Sequence, residues 1–251
     1  MTIEVCAFSL ESCLRAQRAG ANRVELCGGL AEGGTTPSYG LIELARQRLH
    51  IDLYVMIRPR GGDFLYTEEE RDVMRRDIDM ARQLKVDGLV FGFLNADGTV
   101  DEGLTREMVA WAHPLPVTFH RAFDVTRDPF EALEVIIRTG ARRILTSGQQ
   151  PGAEAGIPLL GELVRQTRGR IEIMAGAGVT PRNAALLAAT GVQALHLTGK
   201  RTYESPMQFR QSRVPMASAA PAEFERIETD ETVVAQVIGA ARTQILSPPG
   251  R

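Results

Sequence analysis

The chain has 251 residues, 44% hydrophobic and 24% charged, with 29 basic against 31 acidic side chains for a net charge of −2. That balance sets up no field for a polyanion, so nucleic-acid partners are not expected, and no apolar run approaches the roughly 20 residues of a membrane span. Three cysteines, Cys6, Cys13 and Cys27, do not form a secreted disulfide framework, and the N-terminal MTIEVCAFSLESC lacks the basic and apolar segments of a signal peptide, so the cytosol is the expected compartment.

Short apolar or β-branched runs alternate with longer amphipathic stretches, the pattern of parallel strands joined by crossover helices. The first strand is expected at Ile3–Cys6, with a helix from Ser9, a plausible N-cap, to Ala19. The second is Arg23–Cys27, followed by the loop GGLAEGGTTP and a helix opening near Ser38. The third, Asp52–Ile57, leads to a helix over Thr67–Leu84 with Glu68–Glu70 in its first turn, where negative charge suits the helix dipole. Strands four to eight follow at Gly88–Phe91, Pro116–His120, Arg143–Ser147, Ile171–Met174 and Ala194–Thr198. Their helices begin near Asp101, Asp128–Pro129, Gly156, after Thr180–Pro181, and at Asp230.

Eight such rounds, with no linker before residue 200, point to a single-domain α/β (β/α)₈ TIM barrel over residues 1–251 rather than an open doubly wound sheet. One segment is irregular. Lys200–Thr229 is rich in Ser, Pro, Ala and Gln and is expected to extend as a lid, a dimer arm or a mobile loop.

Alternation along each strand sorts its side chains. Apolar Ile3 and Val5 should face the helices, leaving Glu4 and Cys6 on the barrel axis. The same parity turns Glu25, Cys27, Met56, Arg58, Thr118, His120, His196 and Thr198 inward. Read this way, the two Glu-x-Cys strands share a register, with Cys6 and Cys27 level. Buried carboxylates need partners, so Glu4, Glu25, Arg58, His120 and His196 should form one network at the strand ends, where barrels carry their sites. An ion-paired layer that only closes the barrel is the plainer alternative. His50 and His113 precede strands three and five, on the opposite, stabilising face.

Beyond the strands, Gly176 and Gly178 could turn backbone N–H groups toward an anion, joined by Ser147 and Thr198. Arg58-Pro59-Arg60 and Arg121 suit bidentate anion recognition, with Asp124 free to orient His120 or pair with Arg121. These residues imply a small phosphorylated or carboxylated ligand, on which Glu25, His120 and Glu4 would do acid–base work. No organic cofactor is indicated. Cys6 and Cys27 are either a thiolate pair for Cu(I) or two small buried hydrophobes.

The strings Arg-Val-Glu-Leu-Cys, Glu-Gly-Gly-Thr-Thr-Pro-Ser, Met-Ile-Arg-Pro-Arg-Gly-Gly-Asp-Phe, Val-Thr-Phe-His-Arg-Ala-Phe-Asp, Arg-Ile-Leu-Thr-Ser-Gly-Gln and Ile-Met-Ala-Gly-Ala-Gly-Val together resemble the CutC family, from about Ile3 to Met216. The resemblance implies a cytosolic TIM barrel, a homodimer, and a role in copper homeostasis with Cys6 and Cys27 as copper ligands. It names no catalysed reaction, and an enzyme acting on a small anion is the alternative. At strand eight the family pattern is similar to His-x-Ser, whereas this chain reads His196-Leu197-Thr198, keeping the hydroxyl and adding a methyl.

Overall fold

The computed structural model describes residues 1–211, 213, 214 and 223–246. Eight parallel strands close into a barrel: β1 (Thr2–Ala7), β2 (Arg23–Leu26), β3 (Asp52–Met56), β4 (Gly88–Phe91), β5 (Val117–Phe119), β6 (Arg143–Thr146), β7 (Glu172–Gly176) and β8 (Ala194–Leu197). Helices follow each strand: α1 (Leu10–Arg18), α2 (Tyr39–Arg48), α3 (Glu68–Gln83), α4 (Glu102–Ala112), α5 (Pro129–Thr139), α6 (Ile157–Thr167), α7 (Ala184–Ala189) and α8 (Glu231–Leu246). Local chemistry marks several starts. Ser9 caps α1 through the Ser12 N–H, and Thr67 with Glu70 forms a capping box on α3. Helix α7 begins later than Thr180–Pro181, because Asn183 first closes a turn by accepting from the Thr180 N–H.

Alternation divides the core as the strand parity requires. Ile3, Val5, Val24 and Leu26 pack outward under the helices, while Cys6, Cys27, Tyr54, Met56 and Val90 fill the barrel axis. The register, however, corrects the level pairing of the two Glu-x-Cys strands. Glu4 opposes Arg23 on β2 and His196 on β8, and Cys6 opposes Glu25. Closing strands into a barrel requires neighbours to stagger, and here the stagger offsets β2 by two positions from the level arrangement.

Arg23 and Arg143 form the deepest polar layer. Their guanidinium carbons lie 4.4 and 5.7 Å from the Tyr54 ring centroid. Arg143 pairs with Glu172 at 2.6 Å, and Arg23 pairs with Glu4. Gly88 opposes Tyr54, and a Cβ there would fall 2.4 Å from the ring. Gly88→Ala should therefore destabilise the fold by about 1–3 kcal/mol through overpacking; a denaturation midpoint shift worth less than roughly 0.5 kcal/mol would contradict this packing.

The segment from Lys200 is more ordered at its ends than its composition suggests. Strands β9 (Lys200–Glu204) and β10 (Glu225–Thr229) pair antiparallel as a ribbon at the C-terminal end of β8. The Ser9 and Ser12 hydroxyls of α1 both donate to Glu228, the Thr229 N–H donates to Ser12 Oγ at 3.0 Å, and Arg15 donates to the Tyr203 hydroxyl at 2.7 Å. These bonds tie the ribbon to α1 and hold Lys200 beside the barrel mouth. Residues 212 and 215–222 of the expected lid or arm lie outside the described residues.

Candidate functional site

A cavity of about 410 Å³ opens at the C-terminal ends of the strands. Cys6, Glu25, Arg58, His120, Arg121, Gly178, His196 and Thr198, all expected at the site, line it. Phe8, Met56, Phe64 and Leu145 supply apolar wall, and Lys200 stands among the lining residues.

At one end, β1, β2 and β8 bring sulfur, carboxylate and imidazole together. Cys6 Sγ donates to Cys27 Sγ at 3.7 Å, the stagger placing the two thiols on a diagonal. His196 Nε2 lies 2.8 Å from Glu25 Oε2 and 3.8 Å from Glu4 Oε1. Ligand atoms of Cys6, Glu25 and His196 all fall within 4.8 Å of one another, and all three residues are buried. Glu25 Oε1 is buried without a hydrogen-bond partner.

The charges here are set by competition between burial and pairing. Burial opposes a charged His196, but the Glu25 carboxylate outweighs it and raises the imidazole well above its ordinary value. Burial would raise Glu25, yet the His196 charge holds it below the usual carboxylate range. The pair is therefore ionic at neutral pH. The hydrogen bond to Cys27, together with burial, pushes the Cys6 thiol well up. The bond from Cys6 favours the Cys27 thiolate, but burial and Glu25 prevail and push that thiol up to about 11. Both sulfurs are protonated in the metal-free protein.

Glu4 sits a layer below, fully buried between Arg23 and His196, and does not reach the cavity. It holds the base of the network. Arg23 was not singled out from the sequence, although it shares the parity of Glu25 on the same strand.

The other end is built by β3 and β5. Arg58, only 6% exposed, donates to the Glu32 and Gly34 carbonyls at 2.9 Å and to the Gly62 carbonyl at 2.7 Å, joining the two loops after β2 and β3. No carboxylate lies within ion-pair distance of it among the described residues, and its Nε–H is buried without an acceptor. His120 Nδ1 accepts from the Ala122 N–H at 3.2 Å, which puts the ring proton on Nε2, and that atom is also buried without a partner. Burial, with Arg58 nearby, lowers His120 to about 3, so the ring is neutral.

Arg60, Ser147 and Gly176 lie outside the cavity lining. Arg60 turns away from the cavity to Glu70 at 2.6 Å and Asp63 at 3.1 Å, anchoring the start of α3. Asp124 pairs with Arg121 at 2.7 Å rather than orienting His120, and it accepts from the N–H groups of Ser147 and Gln149. Ser147 is fully buried, its hydroxyl shared between Asp124 and the Gln150 carbonyl. Gly176 lies beneath the cavity, where a Cβ would come within 2.5 Å of Leu145 and 3.2 Å of His196. Ala177 and Gly178, at φ +79° and +71°, bend the chain past the mouth; a left-handed alanine is uncommon and marks a constrained turn. Lys200 was hidden within a segment read as irregular, although it follows β8 directly.

Comparison with known proteins agrees with this architecture. The CutC family profile matches residues 1–201. A CutC family protein of Parabacteroides distasonis is 52% identical over 235 residues, covering 92% of this chain and 97% of that protein. The human copper homeostasis protein cutC homolog is 47% identical over 234 residues, covering 92% and 86%. The crystal structure of a CutC protein from Streptococcus agalactiae superposes with a TM-score of 0.75 at 40% identity, over 79% of this chain and 98% of that one. With the profile, the sequences and the barrel in accord, the chain belongs to the CutC family.

Proposed function

We propose that this protein binds Cu(I) through Cys6 and Cys27 as part of copper homeostasis, in the cytosol and as a homodimer. The observation that carries this reading is the 3.7 Å approach of the two thiols, with His196 and Glu25 beside Cys6. Relatives at about half identity bear copper homeostasis names. The donor set suits the ion: thiolates are soft and select Cu(I), and imidazole is an accepted copper ligand. Cys6 and Cys27 would hold the metal, with His196 as the adjacent third donor. Binding displaces both thiol protons: the orphaned Glu25 oxygen can take one, and the open cavity passes the other to solvent. All three cysteines are free, and no described helix is long and apolar enough to cross a membrane.

An anaerobic titration against a competing Cu(I) chelator such as bicinchoninate tests the reading. One Cu(I) per chain, retained with thiolate-to-copper absorption, is expected. Failure to hold copper against the chelator, or a preference for Zn(II) in the same assay, would contradict it. Sedimentation of the full chain reads the dimer.

A further inference from the structure

The sulfur pair accounts for one side of the cavity and leaves the rim over β7 and β8 without a role. Gly176 on β7 opposes His196 on β8. Two residues further along stand Gly178 and Thr198, on the same rim, where neighbouring strands lie about 4.8 Å apart. Lys200, the first residue of β9, follows two residues after Thr198. All three line the cavity. Their donors are free: the Gly178 N–H, the Thr198 hydroxyl and the Lys200 ammonium have no protein acceptor among the described residues. They are also within reach of a ligand. Gly178 and Lys200 are exposed, the half-buried Thr198 keeps its hydroxyl accessible, and a Cβ on Gly178 would meet nothing within 4 Å.

We propose that this rim binds the phosphoryl group of a small phosphate monoester, its oxygens accepting from the Gly178 N–H, the Thr198 hydroxyl and the Lys200 ammonium. Charge selects the class. Among the charged groups of the lining, Glu25 balances His196 at 2.8 Å and Asp124 balances Arg121 at 2.7 Å. Arg58 and Lys200 are left without a counter-charge among the described residues. A phosphate monoester brings roughly 1.5 to 2 negative charges at neutral pH and matches both, whereas a carboxylate matches one. Arg58 acts only through its field, since its own N–H groups are bound to loop carbonyls or closed off from the cavity. The donor number agrees, because a phosphoryl group offers three strong acceptor oxygens. The β9–β10 ribbon, tied to α1, gives Lys200 a fixed base for this contact. Loops after the seventh and eighth strands are frequent phosphate sites in barrels of this fold. The organic part of the ligand would descend along Phe8, Leu30 and Met56.

The test uses copper-free protein, so its outcome is separate from that of the copper titration. Glycerol 3-phosphate, ribose 5-phosphate and inorganic phosphate are compared with glycerol, ribose and glycerate by calorimetry, and backbone amide resonances are followed in the unaltered protein. At least one of the two esters should bind, shift the Gly178 and Thr198 amides, and lose about tenfold in affinity in Lys200→Gln, with Lys200→Arg recovering most of the loss. Inorganic phosphate should shift the same amides but bind more weakly, having no body to lie on the apolar wall. The amide shifts need no variant, so they stand whatever a substitution does to the fold. Glycerate or inorganic phosphate binding as tightly as the esters, full affinity in Lys200→Gln, shifts confined to residues away from the rim, or no binding by either ester would each overturn the proposal.

Discussion

Replacing Cys6 and Cys27 together by serine is expected to weaken Cu(I) binding on the order of a thousandfold or more, roughly 4 kcal/mol at 1.4 kcal/mol per tenfold. Serine keeps the shape of the site but substitutes hard hydroxyls, which neither ionise near neutral pH nor select a soft ion. The thiols meet at 3.7 Å inside the barrel, close enough to act on one ion together. Each single substitution leaves one sulfur and should fall between wild type and the double variant, with Cys27→Ser, which keeps Cys6 beside His196, the milder of the two. Chelator competition reads the series, with circular dichroism confirming the fold. Equal copper retention by the double variant would remove the thiols from the account.

The largest stability effect is expected deeper in the same network. Arg23 and Glu4 are 3% and 0% exposed and pair inside the barrel, with Arg23 also stacked on Tyr54. Arg23→Met removes the cation and leaves Glu4 and Glu25 facing one imidazolium, His196. Breaking a buried pair from one side costs about 3–5 kcal/mol, because the surviving charge stays desolvated. Adding Glu4→Gln should recover much of the loss, since replacing both partners is often near neutral. Chemical denaturation of both singles and the double completes the cycle. If Arg23→Met costs less than about 1 kcal/mol, or the second change makes it worse, Glu4 is not held by Arg23.

Much of this was legible in the residues, and the failures share a physical cause. Strand and helix positions follow from local periodicity and caps, so all eight strands and the helix starts at Ser9, Ser38, Thr67, Asp101 and Asp128 could be read directly. Parity within a strand is also local, and it correctly turned Glu4, Cys6, Glu25, Cys27 and His120 inward. Register between strands is not local. The stagger that sets Cys6 opposite Glu25 arises from barrel closure, and no single strand encodes it. Loop side chains were hardest to place. Arg58 and Arg60 flank one proline, yet one joins the loops at the cavity wall and the other binds Glu70. The β9–β10 ribbon, Lys-Arg-Thr-Tyr-Glu against Glu-Arg-Ile-Glu-Thr, is largely exposed and has no apolar stripe to announce it.

Copper K-edge X-ray absorption on anaerobically loaded protein tests the central claim most directly. Two sulfur scatterers in the first shell of Cu(I), both lost in Cys6→Ser with Cys27→Ser, is the result expected from the 3.7 Å thiol pair. A first shell of nitrogen and oxygen alone, or a spectrum unchanged in the double variant, would contradict it.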